Sequence, residues 1–347
     1  MGTIWFWLVA IMITAYVLFD GFDLGAGAIH LLLAQTDQER RQVLASIGPV
    51  WDGNEVWLLA AGGTLYFAFP ALYASGFSGF YLPLMIVLWL LILRGTSIEF
   101  RNHIKSHVWA PLWDVLFCGS SLLLCVFFGA ALGNVVRGVP LDASGYFFEP
   151  LWTNFRLGDE TGILDWYTML VGVLSLATLM MHGALWVCMK TVGTVSERAM
   201  SLAGVVWWAV VALTAAVTAV TFRIQPQVMV NFKTWPAGFV FPLVAVAGMA
   251  GVPFELRRRD ERKAFLASCT FLVGMLTSVV FGLYPMVLPA RNAMYSLTVH
   301  SAKAGDYGLK VGLIWWIIGM ALVAAYFIHT YRSFAGKVSV DEDAHGY

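Results

Sequence analysis

The stretch Ile4–Leu33 reads IWFWLVAIMITAYVLFDGFDLGAGAIHLLL, a long apolar run that nevertheless contains two carboxylates. A membrane-spanning helix needs about 20 predominantly apolar residues, so this run is long enough to cross a bilayer. No Lys or Arg precedes it, and it is longer than the apolar core of a secretory signal peptide. We therefore expect a first membrane-spanning helix that is retained.

The composition of the whole chain also indicates a membrane protein. Hydrophobic residues make up 59% and charged residues 12% of the 347 residues, against about 25% charged residues in typical soluble domains. Acidic and basic residues balance at 21 each, so we expect no nucleic acid as a partner. The cysteines are Cys118, Cys125, Cys188 and Cys269. They lie in apolar runs without metal-ligand spacing, which predicts packing roles and no metal site.

Charged residues and Gly or Pro breaks divide the chain into about nine apolar runs, each long enough for one membrane-spanning helix. The strands of a membrane β-barrel would instead form short alternating segments, so the sequence predicts an all-α protein. The predicted spans cover residues 4–33, 57–74, 77–95, 112–134, 164–189, 203–222, 236–254, 264–289 and 309–331. We expect one polytopic membrane domain over residues 1–333 and a cytoplasmic tail over residues 334–347.

The distribution of Lys and Arg predicts the orientation of these helices. Nine spans place the two termini on opposite sides, and two thirds of the 21 basic residues fall in one alternating set of connections. Because cytoplasmic connections are enriched in Lys and Arg, we expect a periplasmic N-terminus and a cytoplasmic C-terminus. The connection 134–163 then lies on the outer side, where we expect a solvated loop. The end of the chain, DEDAHGY from Asp341, is typical of a disordered tail.

Asp20 and Asp23 lie within the first predicted span. A carboxylate at the centre of a membrane helix costs about 2.5 to 3.5 kcal/mol on insertion scales, and such residues usually face protein or a water-filled path. A spacing of three puts both side chains on one helix face. At 1.5 Å per residue, Asp20 lies about 24 Å from the outer end, in the inner half of the membrane. The two acids are either functional or structural, and in the structural case they are hydrogen-bonded packing groups or pair with a buried arginine.

A second polar group begins the next predicted span, in GPVWDGNEVW from Gly48. Its polar and aromatic candidates are Trp51, Asp52, Asn54, Glu55 and Trp57. Asp52 or Asn54 is suited to cap the first turn of a helix, but capping does not account for three polar side chains together. Each tryptophan alone is typical of an interfacial belt. The orientation places this segment at the inner border of the membrane.

A third polar group, RGTSIEFRNHIKSH from Arg94, follows the third predicted span on the same inner side. Acids and arginines that enter apolar protein from one side provide what a proton pathway needs, because acids bind and release protons while arginines keep them ionised. The predicted pathway residues are Asp52, Asp20, Asp23, Glu55, Glu99, Arg101 and Arg94. Trp51, Asn54 and Trp57 are the predicted supporting residues.

Two further motifs lie within or beside apolar runs. His182, in LMMHGALWV, is either a haem axial ligand or a hydrogen-bonding partner of a neighbouring helix. Since no second histidine accompanies it in the membrane, we favour the hydrogen bond. The eighth predicted span ends in YPMVLPARNAMYSLTVHSA, where Pro285 and Pro289 predict that the helix gives way to a shaped outer loop.

The motifs DGFDLG from Asp20 and GPVWDGNEVWLLAAGGTLYFAFPALYA from Gly48 closely resemble subunit II of cytochrome bd-type quinol oxidases. Weaker matches, including FCGSSLLLCVFFGAALGNVVRGVP and YPMVLPARNAMYSLTVHSAK, extend the resemblance along nearly the whole chain. It implies a subunit of a ubiquinol or menaquinol:oxygen oxidoreductase of the bacterial inner membrane, a terminal oxidase that reduces O2 to water. It also implies nine helices, arranged as two four-helix bundles plus one peripheral helix.

The same resemblance implies partners, cofactors and residue roles. Haems b and haem d are expected in a partner, subunit I, and no cofactor site is expected in this chain. Quinone is a candidate lipid-like ligand, and small single-helix subunits are candidate accessory partners. Asp52 matches the family's proton-pathway aspartate and Trp51 its neighbour. Asp20 and Asp23 match the two aspartates of DGFD, and Arg101 matches an arginine after span three.

Two other functions remain open from the sequence. A proton-coupled secondary transporter would use Asp20 and Asp23 as coupling carboxylates, but the chain shows no convincing internal repeat of the kind that many transporters contain. A purely structural assembly subunit would need the acids only for packing. Both alternatives predict the same apolar helices, so the distinction depends on the polar side chains.

Overall fold

The computed structural model describes residues 1–104, 106–158 and 161–338, and most of these residues form long helices. The helices are α1 (Gly2–Leu33), α2 (Asp37–Ile47), α3 (Trp51–Ala68), α4 (Pro70–Gly79), α5 (Tyr81–Phe100), α6 (Trp109–Arg137), α7 (Trp166–Lys190), α8 (Gly193–Ile224), α9 (Gln227–Thr234), α10 (Val240–Arg257), α11 (Glu261–Leu283) and α12 (Asp306–Ser333). The predicted disordered tail from Asp341 lies outside the described residues, as do Lys105, Asp159 and Glu160.

The predicted helical membrane fold is confirmed. Within the described residues, eight helices are long and apolar enough to cross a membrane. They are α1, α5, α6, α7, α8, α10 together with the 3-10 turn Pro236–Phe239, α11 and α12. The one predicted span without such a helix, residues 57–74, corresponds to α3 and α4, so the count of nine and the arrangement in two bundles stay predictions.

The second predicted span, residues 57–74, has the wrong bounds. Helix α3 begins at Trp51 and ends at Ala68, and a new helix, α4, begins at Pro70. Proline lacks the backbone N–H that a continuing helix needs but fits the first turn of a new one, which explains the break. The earlier start brings Asp52 and Glu55 into the first turns of α3.

The eighth predicted span is also shorter than expected, because α11 ends at Leu283 rather than at residue 289. The chain then forms a two-stranded antiparallel hairpin, β1 (Met286–Leu288) paired with β2 (Leu297–Thr298). A 3-10 turn, Ala293–Tyr295, lies between the strands. The predicted shaped loop at this position is therefore confirmed.

Helix α1 runs through the middle of the protein and packs against α3, α6 and α7. Every residue from Asp20 to His30 is buried. The approach to α7 is close at Gly25, where an added Cβ would lie 1.9 Å from the carbonyl oxygen of Leu179. Small residues permit such close approach between membrane helices. The carboxylates of α1 consequently lie inside protein rather than in lipid.

Side-chain contacts define one end of the bundle, which we call the α2 end. Arg101, after α5, pairs with Asp37 of α2, and Arg198 of α8 pairs with Glu39 of α2. Lys190, in the last turn of α7, donates to the carbonyl of Phe334 after α12. The ends of these helices therefore meet on one side of the protein.

At the opposite end, the prediction that residues 134–163 form a solvated loop is wrong for Glu149. This carboxylate is 3% exposed and accepts two hydrogen bonds of 2.9 Å from Arg137, while Arg291 forms a second ion pair with it. Arg137 also pairs with Asp165. Burial raises the pKa of Glu149, and the two guanidinium groups oppose this rise. The ion pairs join the loop to α6, α7 and the hairpin.

Candidate functional site

The centre of the predicted site is an ion pair between α1 and α5. Arg94 donates from Nη1 to Asp20 Oδ2 at 2.9 Å and from Nη2 to Asp20 Oδ1, and neither residue is exposed. The planar guanidinium matches the two carboxylate oxygens, which offsets part of the cost of removing both charges from water. Arg94 was predicted at the membrane border but lies within the bundle, because α5 continues to Phe100.

A hydrogen-bonded chain reaches the second aspartate from α12. Tyr331 Oη donates to Asn54 Oδ1 at 2.8 Å, and Asn54 Nδ2 donates to Asp23 Oδ2 at 2.7 Å. The other oxygen of Asp23 is buried and has no hydrogen-bond partner within the described residues. The prediction that Asp52 or Asn54 caps α3 is wrong, since Val50 is the N-cap and no side chain caps it. Asn54 instead orients Asp23.

Glu55 and Asp52 lie in the first turns of α3. Glu55 is half-buried and lies within electrostatic range of Arg94, Asp20 and Asp52. Asp52 is exposed on the surface of this chain. The acids therefore extend from the surface at the start of α3 to the interior of α1. We call Asp20, Asp23, Asn54, Glu55 and Arg94 the Asp20 group.

The three predicted supporting residues, Trp51, Asn54 and Trp57, have different surroundings. Asn54 is fully buried in the Asp20 group. Trp57 is also buried and stacks on Phe19, with ring centroids 5.9 Å apart, so it packs within protein and not in an interfacial belt. Trp51 is half-buried and lies against α5, where its ring is in contact distance of the position a Cβ on Gly95 would take.

Arg101 belongs to a different set of charges at the α2 end. Its Nε donates to Asp114 Oδ1 at 2.6 Å and its Nη2 to Asp37 Oδ1 at 2.7 Å. His30 and Arg40 also contact Asp114, at 2.9 and 3.1 Å. We call these five residues the Asp114 cluster. His30 lies about 10 Å beyond Asp23 along the axis of α1, so the cluster is separate from the Asp20 group.

Sequence reasoning missed Asp114 and Tyr331. Asp114 carried a signal, because it is an acid inside the predicted span 112–134. Tyr331 carried none, since a tyrosine at the end of a membrane helix is typical of an interface. Glu99, the remaining predicted pathway residue, is exposed near the end of α5. The structure thus brings five of the ten predicted residues into one group and divides the others between the surface, the packing around the group and the Asp114 cluster.

The predicted hydrogen bond of His182 to a neighbouring helix is confirmed. Its Nδ1 lies 2.7 Å from Ser268 Oγ of α11, and its Nε2 lies 3.0 Å from the carbonyl oxygen of Leu18 in α1. Both ring nitrogens are occupied, so His182 does not fit the role of a haem axial ligand. Over the described residues, no group of three or more His, Cys, Asp or Glu side chains is arranged to hold a metal ion.

The chain matches one protein-family model over almost its whole length. The model of cytochrome bd terminal oxidase subunit II covers residues 1–334. Two relatives are each 30% identical to the chain, a probable cytochrome oxidase subunit 2 of Haemophilus influenzae and the cytochrome bd ubiquinol oxidase subunit 2 of Bacillus subtilis. The alignments cover 99% and 98% of this chain, respectively, and 97% of each relative.

A further relative and a solved structure agree with these matches. The cytochrome bd-I ubiquinol oxidase subunit 2 of Escherichia coli K12 is 28% identical, with 98% of this chain and 95% of the relative aligned. A chain in the structure of bd oxidase from Geobacillus thermodenitrificans superposes with a TM-score of 0.75 at 18% identity. That superposition covers 96% of this chain and 98% of the other. At such low identity the likeness shows a shared fold.

Proposed function

Because the chain belongs to the cytochrome bd terminal oxidase subunit II family, we propose that it conducts protons from the cytoplasm toward the partner subunit that reduces oxygen. The chain is a multi-span membrane subunit of a respiratory oxidase, which is an oxidoreductase complex. Family membership implies a subunit I partner and haems in the complex. It also removes the transporter alternative.

The reaction that we assign to the complex is oxidation of quinol and reduction of O2 to water. Relatives in Bacillus subtilis and Escherichia coli are named ubiquinol oxidase subunits, which supports ubiquinol, with menaquinol as the second candidate. Haems b and haem d belong to subunit I in this proposal, while quinone is a candidate lipid-like ligand and small single-helix proteins are candidate partners. Reduction of O2 to water consumes protons, so the complex needs a path that supplies them.

One observation carries the proposal of a proton path. The Asp20 group contains three carboxylates but one arginine, and exposed Asp52, near Glu55, extends the series of acids from the fully buried Asp20 to the surface. Arg94 stabilises one negative charge, which leaves the remaining acids available to bind a proton. One buried oxygen of Asp23 has no hydrogen-bond partner among the described residues, and buried polar atoms of this kind usually bind ordered water.

We assign the remaining predicted residues to the opening of the path. Glu99 lies in the last turn of α5 and Arg101 directly after it. Through Arg101, the Asp114 cluster holds α1, α2 and α6 together at the end of α5. Trp51 and Trp57 limit access from lipid by packing against α5 and Phe19. Under the positive-inside rule the α2 end is cytoplasmic, the N-terminus is periplasmic and residues 334–347 form a cytoplasmic tail in the bacterial inner membrane.

The exposed face of α3 supports contact with subunit I at the path. Its exposed residues recur every three or four positions on one helix face: Asp52, Val56, Leu59, Gly63 and Tyr66. Leu59 is 74% exposed, and an apolar stripe that ends in a carboxylate suits either lipid or a partner helix. Because Asp52 would be costly against lipid, we propose that this stripe packs on subunit I and passes protons across the contact.

Asp52→Asn tests the path in the purified complex. The amide keeps the size of the side chain but cannot bind and release protons, so we expect quinol-driven oxygen consumption to fall at least about tenfold. The haem absorption spectrum reports assembly, which we expect to be unchanged. Glu197→Gln, which removes an exposed acid on α8, is the matched control and should leave turnover unchanged. Normal turnover in a fully assembled Asp52→Asn complex would reject the path and favour a purely structural subunit.

A further inference from the structure

A large cavity lies at the α2 end, apart from the Asp20 group. Its volume is about 1190 Å³, which is larger than most sites for small ligands. The walls come from α1, the end of α2 and its connection to α3, the end of α7, the start of α11 and the end of α12 with residues 334–338. The mechanism proposed above does not use this space.

The inner walls of the cavity are apolar and aromatic. Phe22 stacks on Trp186 with ring centroids 3.9 Å apart, and Phe265 lies edge-on to Phe22. Leu266 and Cys269 continue the same surface along α11. Such a surface favours a hydrocarbon chain over water, because buried apolar area is the main source of binding free energy for hydrocarbon.

The charged side chains among the described residues that line the cavity are all cationic. These described residues are Lys190, Arg262, Arg332 and Lys337, and the described part of the lining contains no Asp or Glu. Lys190 donates to the Phe334 carbonyl, and Lys337 pairs with Glu261 at 2.7 Å. Arg262 and Arg332 are exposed and form no salt bridge with any described residue. Two arginines beside an apolar cavity are therefore available to an anion.

We propose that this cavity binds an anionic phospholipid, with its phosphate on Arg262 and Arg332 and an acyl chain along the aromatic wall. Basic pockets between membrane helices bind anionic headgroups because each cation near the surface attracts the negative lipid. A quinone carries no charge for the arginines to bind. The site does not depend on the proton path, although Tyr331 lines the cavity and also holds Asn54. Lipid binding is thus expected to influence the orientation of Asp23 through Tyr331.

Native mass spectrometry of the purified, delipidated oxidase tests the proposal. The complex is incubated with phosphatidylglycerol or phosphatidylcholine of the same acyl chains, and the lipid retained per complex is measured. We expect preferential retention of phosphatidylglycerol, and about 30-fold weaker retention in Arg262→Gln/Arg332→Gln, since two surface cations are lost. Arg257→Gln/Arg258→Gln is the matched control, because it removes two exposed arginines at the same end that do not line the cavity. The control should retain phosphatidylglycerol like the wild type.

Two more variants separate the remaining explanations. Cys269→Trp narrows the cavity without a change of charge, so it should also release phosphatidylglycerol, with the haem spectrum reporting that the complex is assembled. Deletion of residues 339–347 removes the acidic segment that follows the cavity lining and should leave lipid retention unchanged. Equal retention of the two lipids overturns the proposal. Displacement of the lipid by inorganic phosphate alone also overturns it. The same holds if lipid binds only after residues 339–347 are deleted, or if the complex retains quinone in place of phospholipid.

Discussion

Two buried charged groups, one around Glu149 at the end opposite the α2 end and the Asp20 group within the bundle, differ in their balance of charge. Around Glu149, two arginines meet two carboxylates, since Arg137 pairs with both Glu149 and Asp165 and Arg291 pairs with Glu149. Asp165 also accepts hydrogen bonds from two backbone N–H groups that begin α7. Every carboxylate there has partners that favour its charged form. Such a group is suited to hold a loop in place.

The Asp20 group has an excess of carboxylates instead. Arg94 is the one cation that shares the interior with Asp20, Asp23 and Glu55 within the described residues, and one oxygen of Asp23 has no protein partner. Like charges in one site cannot all stay ionised at low cost, so an excess of acids favours the uptake of a proton. The comparison shows that burial alone does not distinguish the two groups, whereas their balance of charge does.

The largest expected difference between the groups comes from loss of an arginine. Arg94→Gln leaves Asp20 buried without a cation, which should destabilise the complex by about 3 to 5 kcal/mol. Arg137→Gln should cost less, about 1 to 3 kcal/mol, because Glu149 keeps Arg291 and Asp165 keeps two backbone N–H donors. Thermal unfolding of the purified complex measures both. Recovery of stability in Asp20→Asn/Arg94→Gln would attribute the loss to the unpaired charge, while equal stability of Arg94→Gln and wild type would remove the contrast.

An exchange of carboxylate for amide separates proton transfer from structure. Asp23→Asn keeps an oxygen that accepts from Asn54 but cannot bind a proton reversibly, so turnover should fall about tenfold while the complex stays assembled. Glu149→Gln should leave turnover unchanged and lower the free energy of unfolding by about 1 to 3 kcal/mol, as two ion pairs are weakened. Oxygen consumption and thermal unfolding of both variants provide the comparison. Unchanged turnover in Asp23→Asn would contradict the assignment of an uptake role to the excess acids.

The smallest effect is expected at a balanced contact near the surface. The hydrogen bond from Arg198 lowers the pKa of Glu39 from its ordinary 4.5 to about 2. A lowered pKa means that the folded state binds fewer protons, so this contribution to stability is complete above pH 4.5 and is lost as the pH falls toward about 2. Glu39→Gln should therefore be less stable at neutral pH, by about 1 kcal/mol or less, and lose less stability on acidification.

Thermal unfolding of the Glu39→Gln complex between about pH 6 and about pH 3 checks this sign. Glu197→Gln, which removes an exposed acid without a salt bridge among the described residues, is the control and should follow the wild type. A steeper loss for Glu39→Gln than for wild type would show that the contact with Arg198 does not stabilise the folded chain.

The sequence predicted the burial of Asp20 and Asp23 because their position is local information. Both lie within one apolar run, and a membrane excludes unpaired carboxylates, so any fold of this chain must bring them into protein. The helix α3 beginning at Trp51 was harder to locate, because polar residues in its first turns resemble a border segment. The prediction of a solvated outer loop failed for a related reason. The partners of Glu149 lie 12 and 142 residues away in the chain, at Arg137 and Arg291, so no local pattern marks these ion pairs.

By itself, the sequence determined that this protein is a bundle of membrane helices, which family it belongs to and which half of α1 carries the costly acids. These features depend on hydropathy and motifs that are read within one segment. Only the tertiary structure decided that Arg94 pairs with Asp20, that Arg101 pairs with Asp114, and that Tyr331 reaches Asp23 through Asn54. Those partners lie on different helices, and packing between helices depends on the shapes of all their faces, which no single segment records.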